Sequence, residues 1–204
     1  MRVAVICEFS GTVRDAFTKL GHTGTSFDIL PSETEGEHIQ EDIMKLPIDY
    51  WKQFDLAICH PPCTHLAVSG ARHFKAKLEK DPNIQSDALA FVQYLMNLPI
   101  AKIVIENPIS IISTRIRKPD QIIQPWQFGE PFQKTTCLWI KGLPKLIHTN
   151  IVDKGEFVTF KSGKKMSKWM STSYGNGHKR SKTFQGIADA MAEQWGSFQG
   201  GEEN

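Results

Sequence analysis

The segment that most constrains this chain is Asp55-Leu56-Ala57-Ile58-Cys59-His60-Pro61-Pro62-Cys63. Residues 55–58 are apolar, bounded by polar neighbours and too few for a helix, so they predict a short buried strand. Pro61 and Pro62 then stop the ladder, because proline has no N–H to donate and fixes φ. Cys63 is delivered on a stiff loop just past a strand end, where α/β sheets carry ligand and catalytic groups. A thiol held there suits covalent catalysis. A free cysteine is also among the most buried residue types and often only fills space. The rest of the chain decides between the two.

The same layout recurs upstream and downstream. Residues 3–6 predict a first strand, 7–12 a turn containing Gly11, and 13–20 a helix closed by Gly21. Residues 23–27 predict a second strand, closed by Asp28. Strand, glycine turn, helix, strand and acid form the first half of a nucleotide-binding unit. The glycine lets the backbone approach a cofactor, and the acid accepts hydrogen bonds from ribose hydroxyls. From spacing alone, Asp28 reads almost as well as a surface turn residue. Residues 38–43 form a short strand or turn that sets Asp42 near the same sheet edge. Residues 66–83 read as loop or partial helix and carry Arg72, His73, Lys75, Lys77 and Lys80. Residues 84–98 predict a helix, apolar at Ala88, Phe91, Val92 and Leu95. Residues 102–105 predict another buried strand, ending in Glu106-Asn107-Pro108.

Past Ser110 the alternating units stop, although 135–140 predicts one more strand. Over 157–187 the composition changes. Lys161, Lys164, Lys165, Lys168, Lys179, Arg180 and Lys182 occur without an acid, with Trp169, Tyr174 and Phe184 interleaved. Lysines neutralise phosphates and aromatics stack on bases, so the segment suits nucleic-acid contact. It also suits a solvated basic loop. Residues 173–177 predict a tight turn, 183–195 a closing amphipathic helix, and 200–204 a disordered tail.

The 204 residues suit a single α/β domain with a sizeable core. Residues 1–110 form the cofactor and catalytic core, 111–180 the candidate substrate-contact region and 181–197 the closing helix. A net charge of +2 does not by itself call for a polyanion partner. No apolar run reaches bilayer length and the N-terminus lacks a signal layout, so a cytoplasmic protein with no membrane association is expected. The four cysteines are then reduced thiols. No obligate protein partner is evident.

Taken in order, Phe9-Ser10-Gly11, Asp28, Asp42-Ile43, Pro61-Pro62-Cys63 and Glu106-Asn107-Pro108 resemble the motifs of the DNA cytosine carbon-5 methyltransferases. The likeness is to the compact kind carried by bacteriophages, which would place the protein in the host cytoplasm, and covers roughly residues 1–110. It implies a Rossmann-like, S-adenosylmethionine-dependent methyltransferase fold with a mostly parallel central sheet and a small irregular basic C-terminal region. It implies S-adenosylmethionine as cofactor, with Phe9, Gly11 and Pro62 lining its site, Asp28 at the ribose hydroxyls and Asp42 at the adenine. Cys63 would be the nucleophile and Glu106 the group that stabilises or protonates the ring. The partner implied is DNA, with Arg72, Lys164, Lys165, Lys168, Lys179 and Arg180 as candidate contacts.

The chain departs from that family in four places. Thr64 to Gly70 replaces the usual Gln-Gly-Phe-Ser-type sequence after the nucleophile, and Thr12-Val13-Arg14 stands where a second glycine is usual. Thr114-Arg115-Ile116-Arg117 only loosely echoes a Gln-x-Arg-x-Arg motif, and Gly175-Asn176-Gly177 only hints at the closing motif. There is no room for a large recognition domain, so 111–180 must do that work or specificity is low. Three other readings stand beside this one. Cys59, His60, Cys63 and His65 are zinc-ligand types within seven residues, although two prolines restrict wrapping around one ion. The same thiol and carboxylate serve enzymes that modify free pyrimidine nucleotides. A catalytically inactive DNA-binding protein would need neither group.

Overall fold

The computed structural model describes residues 1–160, 162–163, 165–173 and 176–198. The chain runs through β1 (Arg2–Ile6), α1 (Thr12–Lys19), β2 (Thr23–Asp28), β3 (His38–Gln40), β4 (Leu56–Cys59), α2 (Phe74–Lys80) and α3 (Ile84–Met96). It continues through β5 (Lys102–Pro108), α4 (Ile112–Arg115), β6 (Gln121–Ile123) and β7 (Thr136–Lys141). The last part holds β8 (Phe157–Thr159), β9 (Lys165–Ser167), α5 (Lys168–Thr172), α6 (Gly177–Ser181) and α7 (Gln185–Gly196).

Seven strands form one sheet in the order β3-β2-β1-β4-β5-β7-β6, and β8 and β9 form a separate hairpin. β3, β2, β1, β4 and β5 run parallel; β7 is antiparallel to both β5 and β6. Strand order reverses between β1 and β4, the switch point where such sheets open a crevice at the strands' carboxyl ends.

Both faces of the sheet are covered, which explains the nearly unbroken apolar strands. Val3, Val5, Leu56, Ile58 and Val104 point to the face where α1 and α7 pack through Phe17, Met191 and Trp195. Ala4, Ile6, Ala57, Cys59, Ile103 and Ile105 point to the face held by Trp51 and by Val92 and Leu95 of α3. The period of two along each strand separates the two sets. Emptying one fully buried ring, as in Trp195→Ala, is a change of the kind that costs about 3–5 kcal/mol.

Two expectations need correction. Proline does not end the ladder at 106–108. The parallel pairing with β4 stops at Ile105, but β7 pairs antiparallel with Glu106, Asn107 and Pro108. The region after Ser110 is also less irregular than its scattered prolines suggest. β6 forms there because β7 offers it a free edge, a tertiary cause with no local period to reveal it. None of the described helices is long and apolar enough to cross a membrane.

Candidate active site at the carboxyl ends of the strands

β1 ends in Cys7, a non-glycine residue in the left-handed region at φ 60°. Such a conformation is strained, and strain of this sort gathers at functional sites. Glu8 follows and is buried; its carboxylate accepts the Val13 N–H at 2.6 Å and the Arg14 N–H at 3.2 Å. The start of α1 is thus capped by an internal acid. Burial raises the Glu8 pKa, against the pull of His60 and of those two amides. Gly11 sits at φ 73°, and a Cβ there would meet the Thr34 hydroxyl and the Arg14 guanidinium. Glycine is therefore required for conformation and for space.

Arg14, one of the family departures, is fully buried. It donates to Ser26 Oγ (3.1 Å), Thr34 Oγ1 (2.6 Å) and the Glu35 carbonyl (2.7 Å), and so pins the following loop beside Gly11. Asp28, at the end of β2, has one carboxylate oxygen fixed by the Leu30 N–H at 2.9 Å. Asp42 caps a short turn by accepting from the Met44 N–H at 3.0 Å. Burial first, then the charges of Asp28 and Asp42, push the Cys7 thiol up to about 12. The charges of both predicted cofactor acids are therefore felt at the end of β1.

β4 delivers the thiol. Its ladder extends one residue further, with the His60 N–H donating to the Ile6 carbonyl at 2.8 Å. Pro61 is buried and Pro62 exposed. Two prolines offer no N–H, but Asn107 Nδ2 donates to the Pro61 carbonyl at 2.8 Å and fixes the loop from β5. Cys63 is half-buried, and its carbonyl accepts from Leu66 (3.0 Å) and Ala67 (2.8 Å). The turn is stitched again to the end of β5, where the Val68 N–H donates to the Ile109 carbonyl and the Ile111 N–H to the Leu66 carbonyl. The nucleophile loop and the Glu106-Asn107-Pro108 strand are thereby one rigid unit.

Glu106 is buried, and its Oε2 lies 2.8 Å from His60 Nδ1. Burial raises its pKa, but the His60 hydrogen bond and the Lys134 and His60 charges outweigh that, leaving Glu106 below the usual carboxylate value of 4.5. The carboxylate is ionised at neutral pH. The Cys63 thiol is raised from 9.0, by burial and then by Glu106; Lys134 and Arg180 pull the other way. Cys63 rests as a thiol, facing a carboxylate and two cations.

The C-terminal segment closes over this rim. The His178 ring lies 4.8 Å from the Phe9 ring, and His178 pairs with Glu33 at 2.9 Å. Lys182 pairs with the same carboxylate. Residues 181–183 bound a cavity of about 50 Å³ together with Cys7, Glu8, Phe9, Ser10 and His60. Such a space admits one small polar group, since a water molecule occupies about 30 Å³ of liquid volume.

The basic candidates divide. Arg180 acts on Cys63, and Lys179 is exposed on the same helix α6. Arg72 is exposed on the turn after the nucleophile loop and donates to His73 Nε2 at 2.9 Å. Lys165 is exposed on β9, whereas Lys168 is paired with Glu156 at 2.7 Å, an acid just outside the acid-free run. Lys164, and the Tyr174 and Gly175 of the expected turn, lie outside the described residues, as do residues 199–204. The loose arginine motif turns elsewhere: Arg117 bonds Asp120 at 2.7 Å and the Ile140 carbonyl at 3.2 Å. Sequence reasoning missed Lys134 and considered His60 only as a metal ligand. Cys59 is fully buried in β4, and among the described residues no three His, Cys, Asp or Glu side chains form a metal-binding group.

No family model and no curated protein matches the chain. Solved structures do. The Entamoeba histolytica methyltransferase EhMeth is 18% identical and superposes with a TM-score of 0.51, covering 74% of this chain and 57% of that one. The chain has the fold of a methyltransferase. An E. coli protein described as a DNA modification methyltransferase encoded within a prophage is 15% identical, with a TM-score of 0.48 over 75% of this chain and 52% of that one. The chain thus spans a little over half the length of the structures it matches.

Proposed function

We propose that the protein is an S-adenosylmethionine-dependent methyltransferase that modifies carbon 5 of cytosine in DNA through a covalent bond to Cys63. The observation that carries this reading is the coupling of Cys63 and Glu106. They sit on adjacent strand ends, locked together by the Asn107–Pro61 hydrogen bond, at the rim where the charges of Asp28 and Asp42 are felt. The residues present fit the cofactor. Two carboxylates that both act on Cys7 each have one oxygen already oriented by a backbone N–H, and the buried His60 Nε2, next to the small cavity, has no partner among the described residues. Phe9, Gly11 and Pro62 would line the site, Asp28 would take the ribose hydroxyls and Asp42 the adenine. When bound, S-adenosylmethionine supplies the electrophilic methyl group.

The chain's own residues supply the rest. Carbon 5 of cytosine is too electron-poor to attack a methyl group unaided. The Cys63 sulfur adds at carbon 6, and the displaced electron pair makes carbon 5 nucleophilic. Glu106 is held as a carboxylate, so it can take the proton that the Cys63 thiol gives up and deliver it to ring nitrogen 3 as the sulfur adds, while accepting a hydrogen bond from the exocyclic amino group. Lys134 and Arg180 offset the Glu106 charge that otherwise disfavours the thiolate. After methyl transfer, loss of the carbon-5 proton and departure of the sulfur restore the ring. A base inside a duplex cannot present carbon 6 to a thiol and must be flipped out, at a cost of roughly a few kcal/mol. Arg72, Lys165, Lys179 and Arg180 would hold the phosphates.

The test is transfer of a labelled methyl group from S-adenosylmethionine to duplex DNA, followed by digestion to nucleosides. Label in 5-methylcytosine is the expected result. Label on an exocyclic nitrogen, or only on free cytidine nucleotides offered in competition, would replace the reading.

A further inference from the structure

His60 has a place in the site that no motif assigns to it. Its backbone is fixed by the ladder to Ile6, and its side chain is 8% exposed, as is that of Glu106. Nδ1 lies 2.8 Å from Glu106 Oε2. Because an ionised carboxylate only accepts, Nδ1 carries the proton and donates it. Nε2 is buried and has no hydrogen-bond partner among the described residues. An unsatisfied buried polar atom costs about 1–3 kcal/mol, so its persistence needs a use. His60 also borders the cavity beside Glu8, whose carboxylate feels the His60 charge. The imidazole thus stands between an acid on the loop after β1 and the acid on β5.

We propose that His60 is the positioning residue for Glu106: its Nδ1–H occupies Oε2 and leaves Oε1 as the oxygen offered to substrate. Among the described residues, the ionisable and charged groups around this pair include Cys7, Glu8, Lys134, Lys182, Cys63 and Cys137. Of these, Lys134 also favours the anionic carboxylate, so His60 is not its sole support. The proposal builds on the role given above to Glu106, yet the His60–Glu106 link is measurable without turnover.

The experiment is a carbon-13 NMR titration of the full chain labelled at the glutamate carboxyl carbons, with the Glu106 signal assigned through Glu106→Gln. In the unaltered protein Glu106 should titrate below 4.5. In His60→Phe, which keeps a ring and removes both nitrogens, it should move up by about one unit or more. His60→Gln, whose amide extends toward the Nε2 side, should do the same and serves if the phenylalanine variant does not fold. His60→Asn, with an N–H near the Nδ1 place, should recover at least half of the shift. In methyl transfer, the acidic limb of the pH profile should move with the Glu106 titration, and His60→Asn should exceed His60→Phe in kcat at similar KM for DNA. An unchanged Glu106 titration in the phenylalanine or glutamine variant overturns the proposal. Absence of methyl transfer by the unaltered protein would instead remove the reaction assigned above, and the titration would still decide the part played by His60.

Discussion

The parallel half of the sheet and the segment at 165–184 reach the same rim by different means. In the first, Cys7 and His60 follow a strand, Asp28 ends one and Glu106 lies within one, each strand hydrogen-bonded to its neighbours. Their positions are inherited from the core. In the second, Arg180, His178 and Lys182 come from the short helix α6 and the residues after it. His178 is held to Glu33 and the Phe9 ring, Lys182 pairs with Glu33, and the Lys182 carbonyl accepts from Lys134 Nζ at 3.2 Å. Aromatic packing of Phe132, Trp169 and Phe184 anchors the base of the segment. Exposed ion pairs are worth only about 0–1 kcal/mol each. Reacting groups therefore sit on the hydrogen-bonded sheet, Lys134 sits beside it just before β7, and Arg180 sits on a segment held in part by exposed pairs.

The contrast predicts a graded series. Cys63→Ser should abolish methyl transfer, by about a thousandfold or more, while the melting temperature and cofactor binding stay near those of the unaltered chain. Retention of full activity would exclude covalent catalysis by this residue. Glu106→Gln, on the same rigid unit, should lower kcat by about 10²–10⁴-fold, read by the same label transfer. Lys134→Ala and Arg180→Ala remove cations that act on Cys63 from a distance and should cost less, about ten- to a hundredfold. They should also slow alkylation of Cys63 at fixed pH, because losing either cation leaves the thiol pKa higher. In the unaltered protein that alkylation should climb with pH up to and beyond 9.0, whereas Cys7 and Cys137 should wait for about 12 and about 11. Glu33→Ala should have the smallest effect on stability, under about 1 kcal/mol. It should nevertheless speed tryptic cleavage after Lys179, Arg180 and Lys182. Equal cleavage rates would mean that the segment does not depend on Glu33.

The same contrast marks what could be read from the sequence. The strands at 3–6, 56–58 and 103–105 are apolar because both sheet faces are covered, so a local pattern carried them, whereas 23–27 was placed by its position between the helix and Asp28. Cys63 and Glu106 followed, since prolines and polar residues end those runs. The helix at 84–98 showed its apolar stripe for the same reason. His60 looked like a metal ligand because its partner Glu106 is 46 residues away. Lys134 was invisible because only the antiparallel return of β7 brings it back to β5. Lys168 looked free because its acid, Glu156, lies one residue before the basic stretch. Arg14 looked like a missing glycine, and its role depends on a loop about twenty residues further on. Asn107 could have been suspected, since two successive prolines leave a carbonyl that only a side chain from another strand can serve.

The claim on which all of this turns is a covalent bond between Cys63 and the base. The direct measurement is incubation with S-adenosylmethionine and a duplex containing 5-fluorocytosine, followed by denaturing electrophoresis and peptide mass spectrometry. Fluorine cannot leave carbon 5 as a proton does, so the enzyme should stall with its DNA attached through the peptide containing Cys63, and Cys63→Ser should give no adduct. Methyl transfer to unsubstituted DNA without any adduct on the fluorinated duplex, or an adduct at a residue other than Cys63, would contradict the account.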